Sequence, residues 1–189
     1  MGLWDTLTGR SKPVRANLDA LFALPSAAIT LQTAASFRPT GVGSVCYRAS
    51  EGAAFAQTQA DVVTLLDNDD DPDVEQSTDS FGFSWLVARQ DPDDLPALVT
   101  DLHTVNTSLE AQGFGPSLLC SLVGFTDAAG RTLGLVYLYK QGTFYPFAPQ
   151  GPQRRDNLLE LQVRDLLAGD LPIEQSLSRW MPLWGAPGL

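Results

Sequence analysis

Three apolar runs in the second half of the chain, residues 117–125 (SLLCSLVGF), 132–139 (TLGLVYLY) and 144–148 (FYPFA), are separated only by a turn at 126–130 (TDAAG) and one at 140–143 (KQGT). Connections this short join strands as hairpins, because a parallel pair needs a crossover of a dozen residues or more. The chain is therefore committed to an antiparallel meander. Alternation sends Leu135, Tyr137 and Tyr139 to one face of the middle strand and Val136 and Leu138 to the other. Both sets are apolar, as expected of a strand covered on two sides. Pro146 has no N–H to donate, so the third strand lies at an edge or ends early.

The rest of the chain supplies helices and further strands. Pro13 opens a helix reaching residue 23, with Val14, Leu18, Leu21 and Phe22 on one face, and Pro25 stops it. Residues 28–33 (AITLQT) and 42–48 (VGSVCYR) read as strands, followed by a helix over 52–66 and a strand over 81–89. Asp91 caps the next helix, which carries the stripe Leu95, Leu98, Val99, Leu102, Val105 and Leu109 and ends at Gly113. A last helix runs from Pro152 to residue 168. The expected fold is α+β: an antiparallel sheet of five to six strands flanked by helices, in the order α-β-β-α-β-α-β-β-β-α. The expected division is a short amphipathic segment (1–12), one domain (13–168) and a C-terminal tail (169–189) holding Trp180 and Trp184.

Charge and composition narrow the function. A net charge of −10 argues against nucleic acid as a main partner and against purely electrostatic adsorption to anionic lipid. Cys46 and Cys120 are too few for a disulfide scaffold, and each sits in an apolar run, as buried thiols do. The first residues carry no signal-peptide pattern, and no run reaches the roughly 18 apolar residues of a membrane span, so a cytoplasmic location is expected. Leu3, Trp4 and Leu7 fall at helical spacing above basic residues, a pattern suited to weak peripheral membrane contact. Residues 67–73 (DNDDDPD) alternate like a calcium loop, but Pro72 and Thr78 stand where glycine and glutamate are required, so a solvated acidic loop is expected.

Catalytic signals are few. The single histidine, His103, has Asp101 and Ser108 nearby in sequence, which frames one alternative, a small hydrolase or ligand-binding enzyme centred on it. The chain has no G-x-S-x-G elbow and no phosphate loop. No catalytic residue, cofactor or metal ligand is assigned.

The strongest candidate for a binding surface lies at 137–155. Tyr137, Tyr139, Phe144, Tyr145 and Phe147 crowd together, with Lys140, one of two lysines, beside them. Arg154 and Arg155 fall in the first turn of the expected last helix, where the dipole disfavours cations. Lys140, Phe144, Tyr145, Phe147, Arg154 and Arg155 thus form a candidate partner surface of residue types enriched at interface hot spots. The competing reading is that the aromatics are core and rim. The leading functional expectation is a non-enzymatic interaction or adaptor protein.

The segments MGLWDTLTGRSKP, LFALPSAAITLQ, FRPTGVGSVCYR, LLCSLVGF, LVYLYKQGTFYPFAP and GPQRRDNLLELQVR, together with the tail RWMPLWG, resemble the PspA-associated protein PspAB family of Actinobacteria. The resemblance implies a role in the phage-shock envelope-stress system, in which PspA acts at the inner face of the membrane. It implies a protein partner, either PspA or a membrane zinc metalloprotease of the same gene neighbourhoods. It carries over no functional residues. With the 52–66 helix set aside, the element order is also similar to the secretion-chaperone-like α+β fold, whose members bind other proteins.

Overall fold

A computed structural model describes residues 16–49, 52–67 and 74–189. The expected meander forms as β4 (Leu118–Thr126), β5 (Thr132–Leu138) and β6 (Thr143–Phe147). It continues through β1 (Arg38–Tyr47), β3 (Ser84–Arg89) and β2 (Glu75–Thr78) into one antiparallel six-stranded sheet of order β2-β3-β1-β4-β5-β6. The fold is α+β. β6 is the last named strand, which tolerates Pro146 opposite Leu135.

Helices cover one face: α1 (Leu24–Ala35), entered through a 3₁₀ turn at Leu18–Ala23, α2 (Ala53–Leu66), α3 (Leu95–Ala111) and α4 (Asn157–Leu167). α3 lies close on β1 because Gly43 has no side chain; a Cβ there would stand 3.0 Å from Leu102 Cδ1. Val45, Tyr47, Phe125, Leu135 and Tyr137 complete this buried layer. Inside it, the Asn106 amide of α3 donates to the Ser121 hydroxyl of β4 at 2.8 Å.

Several expectations are corrected. Residues 28–33 are not a strand. They belong to α1, where Leu24, Ala27, Ala28 and Leu31 recur at helical spacing and are buried. Pro25 does not stop a helix; it sits in the first turn of α1, where its missing N–H costs nothing. The helical run Leu18–Ala35 is also long and apolar enough to span a membrane by length and mean hydropathy (1.2), and here it packs its apolar face into the core. β2 was not legible: EQST is polar and exposed throughout, and it belongs to the sheet only by pairing with β3. The observed order is therefore α-β-α-β-β-α-β-β-β-α. The cap of α3 is Asp94, not Asp91; its carboxylate accepts from the Ala97 N–H at 3.1 Å. α4 starts at Asn157, capped by Asp156, so Arg154 and Arg155 precede the helix.

The largest departure concerns residues 169–189, expected to be an appended tail. They are part of the core, with Leu171, Ile173, Trp180 and Ala186 buried. Ile173 forms a parallel bridge to Phe144 on the outer edge of β6. The Phe144 N–H donates to Pro172 O at 2.8 Å, and the Glu174 N–H donates to Phe144 O at 2.7 Å. The segment then crosses the sheet face opposite the helices. There the Ser44 hydroxyl donates to Pro187 O at 3.2 Å. Gly124 admits the last residues: a Cβ on it would lie 2.3 Å from Gly188 O. Leu3, Trp4 and Leu7, and most of the acidic loop at 68–73, lie outside the described residues.

Candidate functional site

The C-terminal segment covers its sheet face only in part. A cleft of about 770 Å³ remains between the turn at 79–83 and residues 178–184. Alternation along neighbouring strands brings Cys46, Trp85, Cys120, Leu138 and Tyr145 to its floor. The register shift between Cys46 and Tyr47 is a bulge that also turns Leu119 into the cleft.

Each wall is built around a carboxylate. Asp79 accepts from the Phe81 and Phe83 N–H groups at 2.9 Å and from the Trp85 indole at 3.0 Å. Burial pushes the Asp79 carboxyl up, but these donors outweigh it and hold the carboxyl below the ordinary range. The turn, closed by Gly82 at φ +82°, presents Phe81 at the lip, 64% exposed. In the facing wall, Glu174 accepts from the Thr143 hydroxyl at 2.9 Å, the Ser176 N–H at 2.8 Å and Arg179 at 3.2 Å. Here too burial raises the carboxyl and the donors, led by the Ser176 N–H, bring it below its usual value. Tyr145 donates to Met181 O at 2.8 Å and stacks on Trp180 with ring centroids 5.9 Å apart. Burial pushes the Tyr145 hydroxyl up, so it is a neutral donor. Met181, 59% exposed, shares the lip.

The remaining polar groups lie at the rim. Lys140 is exposed, and among the described residues it has no carboxylate at ion-pair distance. Among the same residues, no group of three His, Cys, Asp or Glu side chains gathers to hold a metal. Chemically, the cleft offers apolar contact, tyrosine and indole rings, two thiols and a rim cation. A second groove, between α1 and the β4–β5 turn, is lined largely by polar residues such as Gln32, Thr33, Arg38 and Asp127.

The six residues of the sequence-derived surface fall into different places. Phe144, Tyr145 and Phe147 are buried, not displayed. Phe144 packs on Tyr137 at 5.0 Å in the helical layer, and Phe147 packs on Trp184 at 5.1 Å under the C-terminal segment. Arg155 is held internally: its Nε donates to both Glu160 carboxylate oxygens at 2.9 and 3.1 Å, its guanidinium also donates to Trp180 O, and it lies 5.2 Å from the Phe147 ring centre. Arg154 is exposed and bonds Gln150 at 3.0 Å. Only Lys140 and Tyr145 meet in the cleft. Sequence reasoning missed Trp85, Phe81 and Met181, which no periodic pattern marks, and placed Cys46 and Cys120 in strands without pairing them.

His103 lies on the other side of the sheet, on α3. Its Nε2 is 3.6 Å from Asp19, and its ring is 4.9 Å from that of Phe22. Asp101 accepts from the Gln90 amide at 2.9 Å.

No curated protein and no solved structure matches the chain. A family model described as PspA associated protein B matches residues 1–188, essentially the whole length. With a match of that extent, the chain belongs to the PspA associated protein B family.

Proposed function

We propose that the protein is a non-enzymatic adaptor of the PspA system that binds PspA itself, taking an apolar segment of it into the cleft. The family description names PspA as the associated protein. The observation that carries the surface is the cleft's lip: Phe81 and Met181 are both more than half exposed beside an apolar floor. Large apolar side chains gathered at the mouth of a concave site are a pattern of protein-binding surfaces. In this reading Lys140 and Arg179 at the rim select a segment with acidic flanks. The protein works in the cytoplasm, at the inner face of the membrane where the resemblance places PspA.

The test uses purified full-length protein and PspA from the same organism in a titration calorimeter. Phe81→Asp and Met181→Asp, both at exposed positions, are expected to leave thermal unfolding unchanged and to weaken binding at least tenfold, about 1.4 kcal/mol. Wild-type protein that does not bind PspA would end the partner assignment. Binding that survives both substitutions would end the assignment of the cleft.

A further inference from the structure

Cys46 and Cys120 stand directly opposite each other on β1 and β4. Both are free thiols, and both line the cleft floor. Opposed residues of an antiparallel pair have Cα atoms about 4.5 or 5.5 Å apart, depending on their place in the hydrogen-bond ladder. Both values fall inside the span of about 4.4–6.8 Å that a disulfide bridges. Alternation points both side chains to the same face. The backbone need not rearrange to join them. The chain holds no third cysteine to compete for either one. The cleft gives a small oxidant a way in to side chains that are otherwise buried.

We propose that Cys46 and Cys120 are a reversible dithiol–disulfide couple set in the cleft floor, oxidised by hydroperoxides. One sulfur, as thiolate, attacks the terminal peroxide oxygen; an S–O bond forms, the O–O bond breaks, and hydroxide or alkoxide leaves and takes up a proton. The second sulfur then attacks the sulfenic sulfur; the S–S bond forms, the S–O bond breaks, and the released hydroxide takes the second thiol's proton and leaves as water. The two thiols lose two electrons and the peroxide gains them. A dithiol reductant reverses the change by two exchange steps. The neighbouring Cys46 thiol and burial both push the Cys120 thiol up, so attack by Cys120 is slow near neutral pH. The bridge would tie β1 to β4 beside the bulge at Leu119 and remove both S–H groups from the floor. The proposal does not depend on what occupies the cleft.

The test uses the full-length protein, reduced, desalted and exposed to hydrogen peroxide. It is then unfolded in N-ethylmaleimide and weighed intact. The expected result is a monomer that has lost two hydrogen atoms and takes up no maleimide, restored to double labelling by dithiothreitol. Proteolysis should yield the two cysteine peptides joined. Double labelling after peroxide would overturn the proposal, as would bridges only between molecules or only sulfinic and sulfonic products. Cys120→Ala gives a second check, because persistence of the same mass loss in that variant would also overturn it.

Discussion

Replacing Arg155 by Ala tests whether this side chain serves the fold or a partner. In the fold it completes a buried ion pair. The Glu160 side chain is 3% exposed and has two sources of hydrogen bonds: Arg155 Nε, and the Ala148 N–H at 2.9 Å. Arg155→Ala removes the charged donor and leaves a buried carboxylate with a single neutral one. It also removes a cation from over the Phe147 ring and the guanidinium bond to Trp180 O, which anchors the C-terminal segment. Removing one member of a buried pair costs about 3–5 kcal/mol. For a chain of this size that lowers the melting temperature by roughly 6–20 °C. Arg154→Ala, which loses only an exposed bond to Gln150, should stay within about 0.5 kcal/mol of wild type. Urea denaturation followed by circular dichroism measures both. The double variant Arg155→Met with Glu160→Leu should be less destabilised than the sum of its single changes, since no unpaired charge remains. It should still fall short of wild type by about 1–3 kcal/mol because the Ala148 N–H loses its acceptor. Stability of Arg155→Ala within about 0.5 kcal/mol of wild type, or strict additivity in the double variant, would refute the reasoning.

Three further outcomes are expected. Glu174 has a folded-state carboxyl held below its unfolded value, so its contribution is complete above the ordinary glutamate range near about 4.3 and is lost as pH falls through the lower folded value. Urea midpoints from neutral to acid pH should therefore fall less steeply in Glu174→Gln than in wild type. Gly124→Ala places a Cβ against Gly188 O and the Thr40 hydroxyl and should cost about 1–3 kcal/mol. Amide hydrogen exchange of residues 183–189 should speed up in that variant. Trp180→Ala removes a buried ring that stacks on Tyr145 and donates to Glu174 O, and should cost about 3–5 kcal/mol by thermal unfolding.

The parts of the fold legible in sequence are those governed by local pattern. The β4–β6 meander follows from short turns between apolar runs, and α3 from its stripe and its glycine stop. Residues 28–33 misled because AITLQT is a short apolar run that fits either period, and Leu24 and Ala27, which complete the buried helical face, lie outside it. β2 has no pattern to read, since an edge strand with both faces wet needs none. The cleft was the least legible feature. Its two walls come from 79–83 and 178–184, and its floor depends on a register that contains a bulge. The pairing of Cys46 with Cys120 is a property of that register, not of either local sequence. Phe144 and Phe147 looked like surface because their cover is supplied by residues far along the chain, among them Trp184. Arg155 looked misplaced at a helix start because α4 begins later than Pro152 suggests.

The bridge between Ile173 and Phe144 bears on how copies of this protein can meet. An unpaired strand edge is a template for another chain. The backbone groups of Phe144 on the outer side of β6 are already engaged by residues 172–174. Among the described residues β2 is the edge strand with no bridge on its outer side. Two molecules joined β2 to β2 across a two-fold axis would consume both open edges at once. Ladder growth through the β2 edges would stop at a dimer. Four polar residues make even that dimer's ladder short, so the sheet is poorly built to seed fibres.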